Sequence, residues 1–364
     1  MNIIFCGGGT AGHITPAIAV AKELRRRNKD SKILFIGRHG GNENDLITKA
    51  GFPLTTLKIK GLKRKLTLQN LVTIKKALYA KKEAKQIIKA FTPDAILGTG
   101  GYVCWPVIKA GYEIKVPTFI HESNIFPGLT TRLLANKCRK LLLYSEETKQ
   151  YLSKKAESVV VGNPIERDFF TTSRSYARTK LSLSKDDLFI LSYGGSLGAE
   201  KINKTIITLM KNFSSKESHI SHLHATGKLN FKNEYKTMFC ENTSCKIVPF
   251  IDNMALYLNA ADIVISRSGA MTIAELSAAK APSILIPSPN VADNHQFKNA
   301  SILQAKNAAV IITEDELNEE TLAKKIKDLA NNKEERRRMS NCIELFAKRD
   351  VECRIIEEIS SALE

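Results

Sequence analysis

Residues 2–13 read NIIFCGGGTAGH, an apolar strand that runs into a glycine-rich turn and leads to a helical pattern over residues 16–27. Residues 188–199, LFILSYGGSLGA, repeat this order ahead of a second helical pattern over residues 202–210. A buried strand, a glycine turn and a helix together open a Rossmann-like domain. Because this unit occurs twice within 364 residues, the sequence predicts two such domains.

Around these two units, short strands rich in valine, isoleucine and leucine alternate with helical segments. The predicted strands are 2–6, 32–36, 95–97, 118–120, 141–144, 158–161, 188–193, 220–224, 246–248, 263–266, 283–286 and 309–312. This alternation predicts an α/β fold in which helices cover both faces of each parallel sheet.

The predicted domains meet near residue 164. We expect an N-terminal domain over residues 1–163 and a C-terminal domain over residues 164–340, with a polar stretch at 171–184 that resembles a linker. The remaining segment, 341–364, carries a helical pattern at 341–360, and we expect this helix to pack back on the N-terminal domain.

The net charge of +18 indicates an anionic partner and is concentrated in one segment. Residues 58–89 hold eleven basic side chains against one acid, a net charge of +10: Lys58, Lys60, Lys63, Arg64, Lys65, Lys75, Lys76, Lys81, Lys82, Lys85 and Lys89 against Glu83. Leu71, Ile74 and Leu78 recur there at helical spacing. They predict either a surface helix with one buried stripe or a patch that binds anionic lipid at ~1 kcal/mol per basic residue.

Other readings of the composition are less favoured. No RRM, KH, zinc or helix-turn-helix signature accompanies the charge, so we do not expect nucleic acid as a partner. The first strand follows Met1 without room for a signal peptide, and no apolar run approaches ~18 residues. We therefore expect a cytosolic protein whose membrane contact is peripheral. Seven scattered cysteines are expected to be free thiols.

The first glycine turn can meet a diphosphate through backbone amides and the N-terminus of the next helix. The second strand ends in Gly-Arg-His-Gly at residues 37–40, without the acid that a nicotinamide dinucleotide ribose requires. His13 could act as a general base or simply cap and pack the turn. Thr10 could bind phosphate or shape the turn, and Ser196 in the second turn has the same two readings.

The most specific stretch is DIVISRSGAMTIAE at residues 262–275. A buried strand ends at Ser266, a Ser-Gly turn follows, and a helix is predicted to start at about Ala270. The first turn of that helix offers unpaired N–H groups at the positive end of the helix dipole, where a phosphate would bind. Glu275 could accept hydrogen bonds from both hydroxyls of a ribose, or it could be a solvated helix acid.

Nine short motifs match one family in order over essentially the whole chain. They are GGTAGH (8–13), GGYVCWP (100–106), HESN (121–124), GNP (162–164), GGSLGA (194–199), HATG (224–227), PFIDNM (249–254), RSGAMTIAE (267–275) and DNHQ (293–296). The chain resembles the MurG family, the bacterial cell-wall transferases that add N-acetylglucosamine to undecaprenyl-diphospho-muramoyl-pentapeptide.

This resemblance implies a GT-B fold and an inverting transfer from UDP-GlcNAc in peptidoglycan synthesis, at the cytoplasmic face of the inner membrane. It implies donor contacts at Thr10, Ala11, Gly12, Asn124, Arg167, Ser196, Ile251, Ala270, Met271, Thr272, Ile273, Ala274, Glu275 and Gln296. The backbone of Ile251 would read uracil, Glu275 the ribose and Gln296 the sugar hydroxyls. His13, as the base, and Tyr102 would face the acceptor.

The chain departs from the family pattern at four positions. Glu166 stands where the family commonly has arginine, and a carboxylate there would repel a diphosphate. We expect Arg167 to take over that contact. Leu197 and Ser123 replace usual glutamines, and Ala11 replaces a usual glycine.

No metal motif is present in the sequence. There is no Asp-x-Asp pair, and His219, His222 and His224 have no partner carboxylate, so we expect these histidines and His121 to be structural. A divalent cation is compatible with the sequence, but no cofactor is required. Helix N–H groups, Ser196 and Arg167 would offset the leaving-group charge. The rival readings are a UDP-GlcNAc 2-epimerase, a nicotinamide-dependent oxidoreductase and a non-catalytic basic module.

Overall fold

The computed structural model describes residues 1–41, 44–61, 68–184, 186–239, 244–291 and 294–364, with the main chain only at 68–71. These residues form two compact units. The N-terminal unit comprises Met1–Glu166 together with Arg349–Glu364, and the C-terminal unit comprises Arg167–Lys348.

The N-terminal unit is built on a parallel sheet whose seven described strands have the order β3-β2-β1-β4-β5-β6-β7. The strands are β1 (Ile3–Cys6), β2 (Ile33–Arg38), β3 (Leu54–Leu57), β4 (Ala95–Gly98), β5 (Thr118–Glu122), β6 (Lys140–Leu143) and β7 (Ser158–Val160). The helices are α1 (Ala11–Arg27), α2 (Asn44–Lys49), α3 (Leu68–Phe91), α4 (Cys104–Glu113) and α5 (Leu129–Leu134), with 3-10 turns at Ala135–Lys137 and Glu146–Tyr151.

Strand β1 shows why this sheet is buried on both faces. Its four residues are fully buried, and alternate side chains enter different cores. Ile3 and Phe5 pack with α1 and with a C-terminal helix, Val351–Ser361. Ile4 and Cys6 pack with α3 and α4.

The C-terminal unit holds a second parallel sheet, with the order β10-β9-β8-β11-β12-β13 over the described strands. They are β8 (Leu188–Tyr193), β9 (Ile220–Ala225), β10 (Cys245–Val248), β11 (Ile263–Ser266), β12 (Ser283–Leu285) and β13 (Val310–Ile311). The helices are α6 (Asp168–Thr171), α7 (Arg174–Lys180), α8 (Glu200–Asn212), α9 (Met254–Ala260), α10 (Ala270–Ala278), α11 (His295–Ala305), α12 (Glu319–Ala330) and α13 (Lys333–Glu344), with 3-10 turns at Ser214–Lys216, Lys228–Asn230 and Asn233–Lys236. The C-terminal helix Val351–Ser361 is α14.

The α/β fold with two parallel sheets is confirmed, whereas several element bounds were wrong. Helix α1 begins at Ala11 rather than at residue 16, because the glycine turn is short and Pro16 is accommodated inside the helix. The edge strand β3 was not predicted. The predicted linker at 171–184 contains α7, and its buried Arg178 bonds to Asp262 and to the carbonyl oxygen of Ala260.

The single helix predicted over 341–360 is wrong. Two helices, α13 and α14, occupy this region, and the chain between them is non-helical. Asp350 adopts a left-handed backbone conformation (φ 56°) at the start of α14, which interrupts a continuous helix. Met339 of α13 lies in the core of the C-terminal unit, whereas Val351 and Ile355 of α14 lie in the core of the N-terminal unit.

Candidate functional site

The first glycine turn lies between β1 and α1 and leaves no room for side chains. A Cβ atom on Gly7 would lie 2.8 Å from both the His13 carbonyl oxygen and the Thr99 hydroxyl oxygen. Gly9 has a φ of +100°, a conformation that L-residues rarely adopt. Ala11 and Gly12 form the first turn of α1, so the three expected donor contacts, with Thr10, lie at a helix N-terminus.

His13 is held by the turn that precedes it. Its Nδ1 atom lies 3.1 Å from the carbonyl oxygen of Gly8 and 3.4 Å from the hydroxyl of Thr10. Because a carbonyl oxygen only accepts hydrogen bonds, Nδ1 carries the proton in the neutral ring. The lone pair of the imidazole therefore lies on Nε2, which is the nitrogen that can act as a base.

A second glycine pair packs directly on this histidine. A Cβ atom on Gly100 would lie 2.6 Å from the His13 ring, and one on Gly101 would lie 1.9 Å from the Gly8 carbonyl oxygen. The Tyr102 ring covers the first turn, since a Cβ on Gly9 would lie 3.3 Å from it. The structure therefore brings His13 and Tyr102, the two residues predicted to face the acceptor, to one end of the N-terminal sheet.

Asn124 follows β5 at the same carboxyl edge of the sheet. Its backbone N–H and its Nδ2 both donate to Glu122 Oε1, each at 3.1 Å. The other oxygen of the buried Glu122 accepts from Gly128 N and from the Thr131 hydroxyl. The expected donor contact of Asn124 can use its Oδ1 atom or its second Nδ2–H, and Glu122 is the residue that orients the side chain.

Two predicted anion sites of the C-terminal unit flank the point where its strand order reverses. Strand β8 leads into the turn that carries Ser196, and the neighbouring strand β11 leads into α10. In open parallel sheets, ligands bind outside the carboxyl ends of the strands at such a reversal. The predicted start of α10 at Ala270 is confirmed.

The N-terminus of α10 has no acidic side chain in its first turn and is capped by Gly269. The amide of Ile273 donates to the Gly269 carbonyl oxygen at 3.0 Å, so the amides available to a phosphate are those of Ala270, Met271 and Thr272. Ala274 is half-buried one residue further on, where its amide belongs to the helix. The predicted donor contacts of Ile273 and Ala274 would therefore have to use atoms other than their backbone N–H groups.

Glu275 lies half-buried in the second turn of α10, near the end of β8. Burial, together with the charge of Glu275, raises the pKa of Tyr193, the last residue of β8. Glu275 lies on the helix that follows β11, and its charge reaches the carboxyl end of the neighbouring strand β8. A carboxylate can accept hydrogen bonds from both hydroxyls of a ribose.

Residues next to α10 that the sequence analysis did not single out brace this helix start. Arg267 donates to the carbonyl oxygens of Ile286 and Pro287, each at 3.1 Å, and forms an ion pair with Glu314 at 2.5 Å. In the sequence, the only sign of this arrangement was the arginine directly before the Ser-Gly turn.

Gln296 is bonded to the same region through its backbone and its side chain. The Ser268 hydroxyl donates to the Gln296 carbonyl oxygen at 2.9 Å, and Gln296 Oε1 accepts from Ser288 N at 2.9 Å. A contact of Gln296 with sugar hydroxyls can come from Nε2 or from the second lone pair of Oε1. The neighbouring motif residue 293 lies outside the described residues.

The remaining predicted donor residues lie apart from α10 in the sequence. Ile251 is buried in the non-helical segment between β10 and α9. Arg167 is exposed and precedes α6. Glu166 forms an ion pair with Lys22 of α1, so its charge is partly neutralised within the N-terminal unit.

Three further histidines, His121, His222 and His224, are buried in the cores. His121 is the fourth residue of β5, and its Nε2 bonds to the Gly162 carbonyl oxygen at 2.8 Å. Burial lowers the pKa values of His121, His222 and His224. His219 is exposed and lies 3.9 Å from Glu217.

Among the described residues, one group could offer three metal ligands: Glu23, Glu352 and Cys353. Glu23 already accepts hydrogen bonds from Arg26 and Arg27, and these bonds lower its pKa to about 2. Two guanidinium groups therefore occupy the place where a cation would bind, and the group lies on α1 and α14 of the N-terminal unit.

Two Rossmann-like units, each with a glycine turn at the carboxyl edge of its parallel sheet, are the architecture of the GT-B fold. Residues 3–143 match the glycosyltransferase family 28 N-terminal domain, and residues 189–355 match the family 28 C-terminal domain. A Thermoanaerobacter protein named UDP-N-acetylglucosamine–N-acetylmuramyl-(pentapeptide) pyrophosphoryl-undecaprenol N-acetylglucosamine transferase is 41% identical over 365 residues, which cover 99% of this chain and 100% of that protein. The chain belongs to this family, the MurG family.

Solved structures agree with this assignment. The crystal structure of Acinetobacter baumannii MurG has a TM-score of 0.71 at 25% identity and covers 99% of both chains. A UDP-GlcNAc 2-epimerase from Neisseria meningitidis, solved with UDP-GlcNAc, has a TM-score of 0.68 at 15% identity, over 99% of this chain and 100% of that one. The epimerase shares the fold alone.

Proposed function

We propose that the protein transfers N-acetylglucosamine from UDP-GlcNAc to undecaprenyl-diphospho-muramoyl-pentapeptide, with inversion at the anomeric carbon. The observation that carries this proposal is the start of α10: three backbone amides at a strand reversal, no acid in the first turn, and Glu275 one turn further on. The amides would accept the diphosphate, and Glu275 would hold the ribose.

The leaving group of this reaction is UDP, whose diphosphate gains negative charge as the glycosidic bond breaks. Amides that already point at the phosphate stabilise that charge without reorganising, and Ser196 and Arg167 would add donors. The acceptor hydroxyl must lose a proton in the same step. His13 Nε2 carries the lone pair of the ring and would take that proton.

A transfer assay tests this proposal. Labelled UDP-GlcNAc is incubated with the protein, with and without the lipid-diphosphate-muramoyl acceptor, and the lipid and sugar-nucleotide fractions are analysed separately. The proposal predicts label in the lipid only when the acceptor is present. Conversion of UDP-GlcNAc to an epimer without acceptor would instead identify an epimerase, and unchanged UDP-GlcNAc in both reactions would contradict the proposal.

We further propose that α3 binds the protein to an anionic membrane surface. The structure corrects one expectation, because Ile74 and Leu78 are each 50% exposed rather than buried. Ala80, Ala84 and Ile88 of α3 are buried in the core, Ala77, Ile87 and Phe91 pack against it, and the side chain of Leu71 is not described. Ile74 and Leu78 of the predicted stripe therefore face outward.

The exposed face of α3 combines apolar and basic side chains. Val72 is 56% exposed and Tyr79 is 66% exposed, and they join Ile74 and Leu78 on this face. Lys75, Lys76 and Lys82 are also exposed. A large apolar patch with lysines among it is typical of a membrane-binding surface.

Not all of the predicted basic segment contributes equally. Lys81 and Lys85 bond to Glu113 of α4 at 2.8 and 2.5 Å and lower the pKa of that carboxyl group to about 2, so their charge also fixes α3 on α4. The predicted contributors Lys63, Arg64 and Lys65 lie outside the described residues. No helix in the described ranges is long and apolar enough to cross a bilayer.

A further inference from the structure

A chain of polar side chains crosses the core of the C-terminal unit and has no part in the proposed chemistry. Its members are Ser192 of β8, His222 and His224 of β9, Asn203 of α8, and Ser214, and all of them are buried. Buried polar groups are costly unless each one is paired, so a connected set in an apolar core calls for an explanation.

The hydrogen bonds at one end of this chain have a fixed direction. Asn203 Nδ2 lies 2.9 Å from the Thr226 carbonyl oxygen, which only accepts, and this fixes the orientation of the amide. Asn203 Oδ1 must then accept from His224 Nε2, at 3.2 Å. His224 Nδ1 lies 2.9 Å from the Ser192 hydroxyl and 3.1 Å from the Ser192 carbonyl oxygen.

The chain continues to its other end through Ser192 and His222. The Ser192 hydroxyl lies 2.9 Å from His222 Nε2, and His222 Nδ1 lies 2.9 Å from the Ser214 hydroxyl. The five side chains therefore form one continuous hydrogen-bonded chain in the core.

The chain ends at the second glycine turn. The Thr226 carbonyl oxygen that Asn203 holds lies directly over Gly198, where a Cβ atom would lie 2.0 Å from it. Asn203 N also donates to the Ala199 carbonyl oxygen at 2.8 Å, which ties the start of α8 to the end of the same turn. Gly198 has a φ of +81°, and its backbone lies so close to that of Thr226 that no side chain would fit between them.

We propose that Asn203 and neutral His224 are positioning residues that hold the Gly194–Ala199 turn in the geometry that binds the donor diphosphate. This inference rests on the proposed donor site at Ser196. Burial lowers the pKa values of His222 and His224 to about 3 and about 4, so both rings are uncharged at neutral pH.

Calorimetric titration of the full-length protein with UDP tests the inference. Asn203→Asp keeps the shape but cannot donate to the Thr226 carbonyl oxygen, and His224→Leu removes both bonds of the ring. Each should raise the Kd for UDP about tenfold or more. His224→Gln can still donate to Asn203 and accept from Ser192, and it should restore the Kd to within about threefold of wild type.

The matched control is Ser214→Ala, which removes a bond of the same chain at the end remote from the turn. It should lower the melting temperature but leave the Kd for UDP within about twofold of wild type. Equal losses of UDP affinity in Ser214→Ala and His224→Leu would show a structural role only and would overturn the inference.

Hydrogen–deuterium exchange gives a readout that needs no ligand. Amides of residues 194–199 should exchange faster in His224→Leu than in wild type, and at the wild-type rate in Ser214→Ala. Unchanged exchange in folded His224→Leu overturns the positioning role. Wild-type protein that fails to bind UDP while the exchange pattern appears as expected would instead overturn the proposed donor site.

Discussion

Replacing the exposed apolar residues of α3 should detach the protein from anionic vesicles. Full burial of a valine, leucine or isoleucine side chain is worth ~1.5–3 kcal/mol. Val72, Ile74 and Leu78 are 56%, 50% and 50% exposed, so about half of that free energy, roughly 1 kcal/mol each, is available on insertion into lipid. The triple variant Val72→Ser/Ile74→Ser/Leu78→Ser should therefore lose about 3 kcal/mol, or roughly a hundredfold in partition coefficient.

Co-sedimentation with phosphatidylglycerol vesicles measures this loss, and neutral phosphatidylcholine vesicles separate its two components. The charge component comes from Lys75, Lys76 and Lys82, at ~1 kcal/mol for each lysine near an anionic surface, and it should be lost at high salt. The apolar component should persist in salt. The matched control is Leu345→Ser in the C-terminal unit, since Leu345 is 84% exposed. A triple variant that binds within twofold of wild type would refute the reasoning, as would an equal loss in the control.

Three further predictions concern the site and the core. His13→Ala should lower kcat by about 10²–10⁴ and leave the Kd for UDP unchanged, and wild-type turnover in single-turnover assays would remove His13 from the mechanism. Glu275→Gln should weaken the binding of UDP about tenfold or more in calorimetry. An analogue that lacks both ribose hydroxyls should bind the variant and the wild type alike. Equal affinities of the two proteins for UDP would contradict the ribose contact. The free energy of unfolding in urea should fall by about 3–4 kcal/mol from pH 7 to pH 5. Buried His222 and His224 have pKa values of about 3 and 4, below ~6.5 in the unfolded chain, so the unfolded state takes up protons first. Carboxylates with lowered pKa values change the free energy of unfolding only below about pH 4.5. Equal stability at pH 5 and pH 7 would therefore show that these histidines are not buried as neutral groups.

The elements that the sequence predicted best are those whose local pattern has a single explanation. Strands β8 and β11 were predicted with their observed bounds, because buried parallel strands are continuous apolar runs that end at glycine or serine turns. The start of α10 was predicted for the same reason. Fold class and the two glycine turns followed from these signals.

Elements without such a pattern were missed. Strand β3, LTTL, lies at a sheet edge with two half-buried threonines, and only its pairing with β2 makes it a strand. The predicted inward stripe of α3 failed because Ala80, Ala84 and Ile88 pack in the core while Ile74 and Leu78 face outward. Hydrophobic spacing identifies a face of a helix, but it does not say which face meets a neighbour.

The partners of the site residues depend on tertiary structure and could not be read from spacing. From the sequence, the Glu166 carboxylate was expected to repel the diphosphate. In the structure it pairs with Lys22, 144 residues away. Glu122 was named only as part of a motif, and its four hydrogen bonds show that it orients Asn124. His222 and His224 have serine and asparagine partners among the described residues. The prediction of no carboxylate partner was wrong for His219, which lies 3.9 Å from Glu217.

A crystal structure of the protein soaked with UDP tests the donor site most directly. The account predicts density for the diphosphate within hydrogen-bonding distance of the amides of Ala270, Met271 and Thr272, with both ribose hydroxyls on the Glu275 carboxylate. UDP bound at another position, or bound with its ribose away from Glu275, would contradict it.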